Sequence, residues 1–168
     1  MDEPAFIDSR LEMEQILQEE VVGYLGLTAE GQPYVVPLNY VYAEGKILFH
    51  CALTGRKLDA IRANPHVCFT VGRQTGPVRD HAAGPPCHVD SDSVICFGRA
   101  RILDELAERE HGLNAFNRRF RPDAADLSPD RVEKCLAVEI TIAEMTGRRE
   151  RDRHRTYWRW IFSTTSSA

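Results

Sequence analysis

Tyr24-Leu25-Gly26-Leu27-Thr28-Ala29-Glu30-Gly31-Gln32-Pro33-Tyr34-Val35-Val36-Pro37-Leu38-Asn39-Tyr40-Val41-Tyr42-Ala43-Glu44-Gly45-Lys46-Ile47-Leu48-Phe49-His50-Cys51 carries the reading on which the fold turns. Three apolar runs, Tyr24 to Thr28, Pro33 to Tyr42 and Lys46 to Cys51, are parted by Ala29-Glu30-Gly31-Gln32 and Ala43-Glu44-Gly45. Short β-branched and aromatic runs separated by glycine-bearing turns pair with their neighbours in sequence, so the segment reads as an antiparallel meander. Pro37 interrupts the middle run. A proline removes one ladder donor, which places it at a bulge, on a sheet edge, or where the strand faces something other than another strand. Asn39, two residues on, is a polar side chain in an apolar run, either a satisfied core or turn amide or a ligand contact. A planar ligand hydrogen-bonded to strand backbone accounts for both residues together.

Directly after the meander, His50-Cys51-Ala52-Leu53-Thr54-Gly55-Arg56-Lys57-Leu58 runs from a strand end through a glycine turn into a helix start. Free backbone N–H groups at a helix N-terminus favour an anion, and Arg56 and Lys57 add two positive charges, so this is a phosphate site in principle. The plainer reading is a solvated basic pair after a surface glycine. Arg56 to Ala63 is a short helix closed by Asn64-Pro65, and Val67, Phe69 and Val71 alternate as a fourth strand. Gly72 to Asp92 has no periodicity and is long for a connection, so it reads as functional or mobile. Ser93 to Leu103 is a strand with Val94, Cys96, Gly98, Ala100 and Ile102 on one face.

Asp104 is placed to cap a helix carrying Leu106, Leu113, Phe116 and Phe120 near one side, and Ser128-Pro129-Asp130 starts another. Leu136, Val138, Ile140 and Ile142 alternate as the last strand. Before the meander, Ser9 and Glu12 form a capping-box pattern, with Leu11, Ile16 and Leu17 as the apolar side of a helix to about Glu20. Six strands joined mostly by hairpins predict a mainly β fold with helices, a small antiparallel barrel rather than a doubly wound parallel sheet. The expected organisation is one domain over 1–168, with an N-terminal helix in 1–22, a barrel core in 23–147 and a basic, aromatic tail in 148–168.

Composition narrows the class. The 168 residues are 43% hydrophobic and 27% charged, and no apolar run approaches the roughly 20 residues that span a bilayer. The opening Met1-Asp2-Glu3-Pro4 lacks the order of a secretory signal, which makes the cytoplasm the expected compartment. Five widely spaced cysteines, Cys51, Cys68, Cys87, Cys96 and Cys135, argue against a disulfide framework. A formal net charge of −4 argues against a nucleic-acid binder that relies on overall attraction, although positive charge gathers in Arg118-Arg119-Arg121 and from Arg148 to Arg159. For that tail, docking across a dimer or partial disorder is less demanding than RNA or membrane contact. His81, Cys87, His88 and Asp90 are metal-ligand types at spacings that fit no standard zinc pattern, and no metal is expected. No Gly-x-Gly-x-x-Gly turn follows a strand, so a built-in nicotinamide-binding domain is not indicated.

Gly23-Tyr24-Leu25-Gly26-Leu27, the run Gly31 to Val41, Ile47-Leu48-Phe49-His50, Gly55-Arg56-Lys57-Leu58 and Asn64-Pro65-His66-Val67-Cys68-Phe69 resemble, in order and spacing, the nitroimidazole-resistance branch of the pyridoxamine-phosphate-oxidase-like flavoproteins. Ser93-Val94-Ile95 with Phe97-Gly98-Arg99-Ala100, and Met145-Thr146-Gly147-Arg148, resemble two downstream blocks of that branch. The resemblance implies a six-stranded split β-barrel homodimer with FMN at the subunit interface. It assigns the phosphate to Gly55, Arg56 and Lys57, the ring to Pro37, Leu38, Asn39 and Tyr40, the pocket lining to His50, Cys51 and Ala52, and an approach from the partner to Ser93 and Val94. It makes His50 the catalytic candidate, since an imidazole titrating near neutrality assists proton transfer coupled to electron transfer; the alternative is a histidine that only packs and hydrogen-bonds. The implied activity is an FMN-dependent oxidoreductase acting on a small electron-poor compound such as a nitroaromatic, with any NADH or NADPH bound transiently over the flavin. The competing reading is a non-catalytic flavin- or haem-binding sensor with His50 as a candidate axial ligand.

Overall fold

The computed structural model describes residues 6–7, 9–79, 88–151 and 154–162. The chain opens with β1 (Phe6–Ile7) and α1 (Arg10–Glu19). Ser9 stands at the N-cap of α1 without a side-chain capping bond, so the capping box is not formed. The buried side of α1 is Met13, Ile16 and Leu17, an i, i+3, i+4 stripe, while Leu11 points to solvent, contrary to the sequence expectation.

The expected three-run meander is instead two separate antiparallel hairpins, β2 (Val22–Ala29) with β3 (Gln32–Asn39) and β4 (Val41–Ala43) with β5 (Lys46–Cys51). Glu30 and Gly31 connect β2 to β3 at φ of 52° and 76°, and Glu44 and Gly45 connect β4 to β5 at 52° and 77°. Two consecutive positive φ values give the hairpin turn whose twist matches the strands, and glycine takes the second position without a Cβ penalty. The long run expected from Pro33 to Tyr42 breaks at Tyr40. Among the described residues its first part pairs with β2 alone and its second with β5 alone, so the chain crosses here from one side of the sheet to the other. Tyr40 itself is turned into the core, and its hydroxyl donates to Leu17 O at 2.8 Å. Pro37 therefore lies on a sheet edge, where its missing N–H costs no ladder bond.

After α2 (Arg56–Ala63) come two long strands, β6 (His66–Arg79) and β7 (His88–Leu103), then α3 (Leu106–Phe120), α4 (Pro129–Val132), β8 (Leu136–Arg151) and β9 (His154–Ile161). Much of the stretch from Gly72 to Asp92 is thus strand; Arg73 pairs with Asp92 and Gln74 with Ser91. Its alternation is hidden because polar residues line both faces beyond the core. The helix expected at Asp104 starts one residue later, with Glu105 at the N-cap, and of its apolar stripe Leu113 is buried while Leu106 and Phe120 are exposed.

The sheet runs β3-β2-β6-β7-β8 and forks at β8, whose outer edge pairs with β5 over Leu136 to Thr141 and with β9 over Glu144 to Arg151. Nine strands are described rather than the six expected, because the 33–42 run is two strands, the basic tail forms β9, and β1 pairs in parallel with β9. The sheet is predominantly antiparallel and is not closed. At the fork, a bulge sets Phe97 opposite Glu144 and Gly98 opposite Ile142, and a Cβ on Gly98 would run into Thr141 O, so glycine is required by the close approach. One inner row, Val36, Leu25, Phe69, Cys96, Met145 and Trp160, crosses the sheet and packs with α1 and α2 into the main core. A smaller cluster, Leu48, Leu103, Leu113, Val132 and Ala137, lies under α3.

Candidate functional site

The end of β5 leads through Ala52, Leu53 and Thr54, all exposed, to Gly55 at φ +141°, a backbone conformation that side-chain-bearing residues avoid. This glycine turns the chain so that its carbonyl accepts from Leu58 N at 2.9 Å and Asp59 N at 3.2 Å, leaving the N–H groups of Arg56 and Lys57 ahead of the first helical hydrogen bonds. Among the described residues neither Arg56 nor Lys57 has a carboxylate partner. Each rests on an aromatic ring instead, the Arg56 guanidinium 4.6 Å from the Tyr34 centroid and Lys57 Nζ 5.2 Å from that of Phe49. Arg56 thereby joins α2 to the edge strand β3, and Lys57 joins α2 to β5.

His50 stands on β5 opposite Ala137 with its ring 4.5 Å from that of Phe116 and inclined at 73°. Partial burial first, and then the charge of Lys57, hold its imidazole below the ordinary histidine range, so it is neutral at pH 7. Burial raises the Cys51 thiol, against the opposing pull of Lys57, which leaves it protonated and a poor nucleophile. Asn39 donates its side-chain amide to Val21 O at 3.0 Å, the satisfied-amide reading of that residue. Leu38 packs partly on the core while Pro37 is exposed.

The candidate residues therefore divide. His50, Cys51 and Lys57 are electrostatic neighbours, and Arg56 reaches β3. Tyr40 turns its side chain away into the core. Ser93 and Val94 sit on β7, separated from β3 by β2 and β6, with Val94 fully buried. Sequence reasoning did not connect α3 to the site. Phe116 touches His50, and Phe120 follows it at 4.9 Å; the signal was an i, i+4 aromatic pair, assigned there to a core stripe.

Two other features lie apart from these residues. A groove of about 960 Å³ at the bulge is lined by His66, Phe97, Arg99, Thr141, Ala143 and Phe162 among others, and by none of the site candidates. Asp92 is buried and meets Arg149 at 3.1 Å, Arg151 at 2.8 Å and Arg73 at 3.3 Å. Of the metal-ligand types, His81 and Cys87 lie outside the described residues, and among the described ones no group of three or more His, Cys, Asp or Glu converges. No described helix is long and apolar enough to cross a membrane.

An open, forked antiparallel sheet with a glycine turn into a basic helix start defines the class of split-barrel proteins. The family model described as pyridoxamine 5'-phosphate oxidase matches residues 9–149, and the chain belongs to that family. A candidate 5-nitroimidazole antibiotic resistance protein from Bacteroides thetaiotaomicron superposes with a TM-score of 0.75 at 24% identity, over 86% of each chain. An FAD-binding protein from Mesorhizobium loti gives 0.61 at 26% identity, over 85% of this chain and 96% of that one. A flavocytochrome from Azotobacter vinelandii gives 0.74 at 18% identity, over 94% and 80%. No curated protein matches the sequence.

Proposed function

We propose that the chain binds FMN and works as an oxidoreductase for a small electron-poor compound, at a site completed by a second copy. The observation that carries this reading is the pair of cations at the start of α2, without carboxylate partners among the described residues and laid on the rings of β3 and β5. Burying or crowding positive charge without a counter-ion is unfavourable, and an anion at the helix start relieves it. The residues fit a flavin phosphate: two N–H groups ahead of the first helical hydrogen bonds, two cations and a glycine with open space where a Cβ would stand. The exposed edge of β3 from Pro37 to Asn39 suits a planar ring, and His50 stands beside Lys57. Flavin binding is also what the name of the Mesorhizobium protein states for that relative.

Bound flavin supplies the electron transfer, and this chain's residues bind it, orient it and manage protons. Lys57 and Arg56 anchor the phosphate. His50, neutral at pH 7, is able to take up a proton and return it to a substrate atom as charge develops. A nicotinamide donor binds only in passing. Ser93 and Val94, strands away from Lys57 in one chain, reach the flavin from the other copy, Val94 through its backbone. That arrangement leaves half of the site's wall on the partner, which accounts for the groove in the single chain lying elsewhere.

The test is the visible spectrum of the protein after incubation with FMN and gel filtration. Retained flavin absorbance is expected, with Lys57→Ala weakening FMN by about tenfold, or about 1.4 kcal/mol. A protein that stays colourless overturns the reading. A Soret band without flavin absorbance makes His50 a haem ligand instead, a reading favoured by the same neutral, exposed imidazole. Flavin that neither NADH nor NADPH reduces leaves a binding protein rather than an enzyme.

A further inference from the structure

We infer that Phe116 and Phe120 of α3 form, with His50, the wall on which a substrate ring stacks, so that α3 sets a preference for flat aromatic compounds. The inference rests on the flavin-site reading and adds which side of His50 the substrate occupies. The Phe116 ring centroid lies 4.5 Å from that of His50, edge-on, and 4.9 Å from that of Phe120, tilted, so the three rings follow one another along the last turn and a half of the helix. Phe120, at its far end, is 40% exposed.

This exposed ring is not needed to hold the helix. Leu113 is buried in the small cluster, and Gly112 lets α3 approach so closely that a Cβ there would stand 3.0 Å from Leu103 and 3.4 Å from Ala137. Asn114 Oδ1 accepts from Leu127 N at 2.8 Å, and Arg119 donates to Gln18 O at 2.5 Å, tying the helix end to α1. With α3 anchored by these contacts, and Phe116 itself partly buried against the small cluster, the Phe120 ring is left presented at the end of the row that starts at the neutral His50 imidazole. Offset or edge-on aromatic pairs are favoured over aliphatic contact of similar area, and the nearby charges of Lys57 and Arg119 suit a ring bearing an electron-rich oxygen substituent.

Nitrobenzene and 2-nitropropane carry the same nitro group on an aromatic and an aliphatic frame. Their dissociation constants are to be read from the His50 imidazole resonances, on FMN-loaded protein and in parallel on the chain as purified. The wild type is expected to hold nitrobenzene roughly tenfold tighter, and Phe120→Ala and Phe116→Leu to cut that ratio roughly three- to tenfold with flavin absorbance unchanged. An unchanged ratio in Phe120→Ala overturns the wall. Should Phe116→Leu fail to fold, Phe120→Ala decides, since its ring is exposed. Failure to take up FMN overturns the flavin reading separately, while the ratio on the purified chain still decides the wall.

Discussion

His50 is governed by two neighbours of different kinds. Phe116 takes water from one side of the imidazole, and Lys57 supplies a like charge that opposes protonation. Both lower its pKa, so removing either must raise it. In Lys57→Met the His50 resonances are expected to titrate at higher pH than in the wild type, yet still below an ordinary histidine because the aromatic contact persists. An NMR titration of the two proteins checks this, and the acidic limb of any pH–rate profile should move upward with it. A shift downward would mean that Lys57 does not face the ring. The strand end, glycine turn and basic helix start that carry His50, Arg56 and Lys57 were legible from residue order, because they are local events, whereas the catalytic role of His50 was implied only by the family resemblance. The core placement of Tyr40 was not legible, since it depends on where Leu17 lies after folding.

At the scale of elements, the long β6, β7 and β8 extend past the apolar core, and Asp92 joins them there. Its carboxylate is 1% exposed and is shared by Arg73 from β6 and by Arg149 and Arg151 from β8, while Arg73 also meets Glu19 and Arg149 meets Glu12 of α1. Burial alone would raise the Asp92 pKa, but hydrogen bonds and charge from Arg149 and Arg151 outweigh it and hold the group below the ordinary carboxylate range. Asp92→Ala leaves three arginines crowded, and because they are partly hydrated the expected cost is about 2–3 kcal/mol. Thermal denaturation at pH 7 should show a Tm lower by roughly 5–10 °C. For a depressed carboxylate pKa, the stabilisation is complete above the unfolded value of about 4 and is lost as pH falls through the lower folded value, so the two proteins should converge in stability on acidification below that point. In the arginine-rich tail, for which the sequence suggested docking across a dimer or partial disorder, the described arginines pair within the chain: Arg148 with Glu150, Arg149 with Asp92 and Glu12, Arg151 with Asp92, and Arg159 with Glu144.

For the whole molecule, the outward face of the sheet is the feature that asks for a second copy. Tyr24, Thr70, Ile95 and Thr146 form one cross-strand row, and Gly26, Cys68, Phe97, Glu144 and Ile161 the next, with Tyr24, Ile95, Phe97 and Ile161 all exposed. Exposed apolar side chains gathered on one sheet face suit the interface of the proposed homodimer. In the proposed homodimer this face is covered, and Phe97→Asp should lower the mass measured by light scattering from twice the chain to one chain and abolish FMN retention. A Phe97→Asp protein that remains dimeric with its flavin would place the contact elsewhere.

What the sequence determined by itself was the two antiparallel hairpins with their Glu-Gly turns and the glycine turn into the basic start of α2, because each is dictated by neighbours a few residues apart; it left Pro37 open between a bulge, an edge and a strand facing something other than another strand. Tertiary structure alone decided the break at Tyr40, the fork of β8 between β5 and β9, the capture of the basic tail by Asp92 and its neighbours, and the meeting of α3 with His50. Each of these joins residues distant in the chain. Their geometry follows from how the β-turns and register shifts aim the strands, and from which buried groups find partners, neither of which leaves a periodic trace in the sequence.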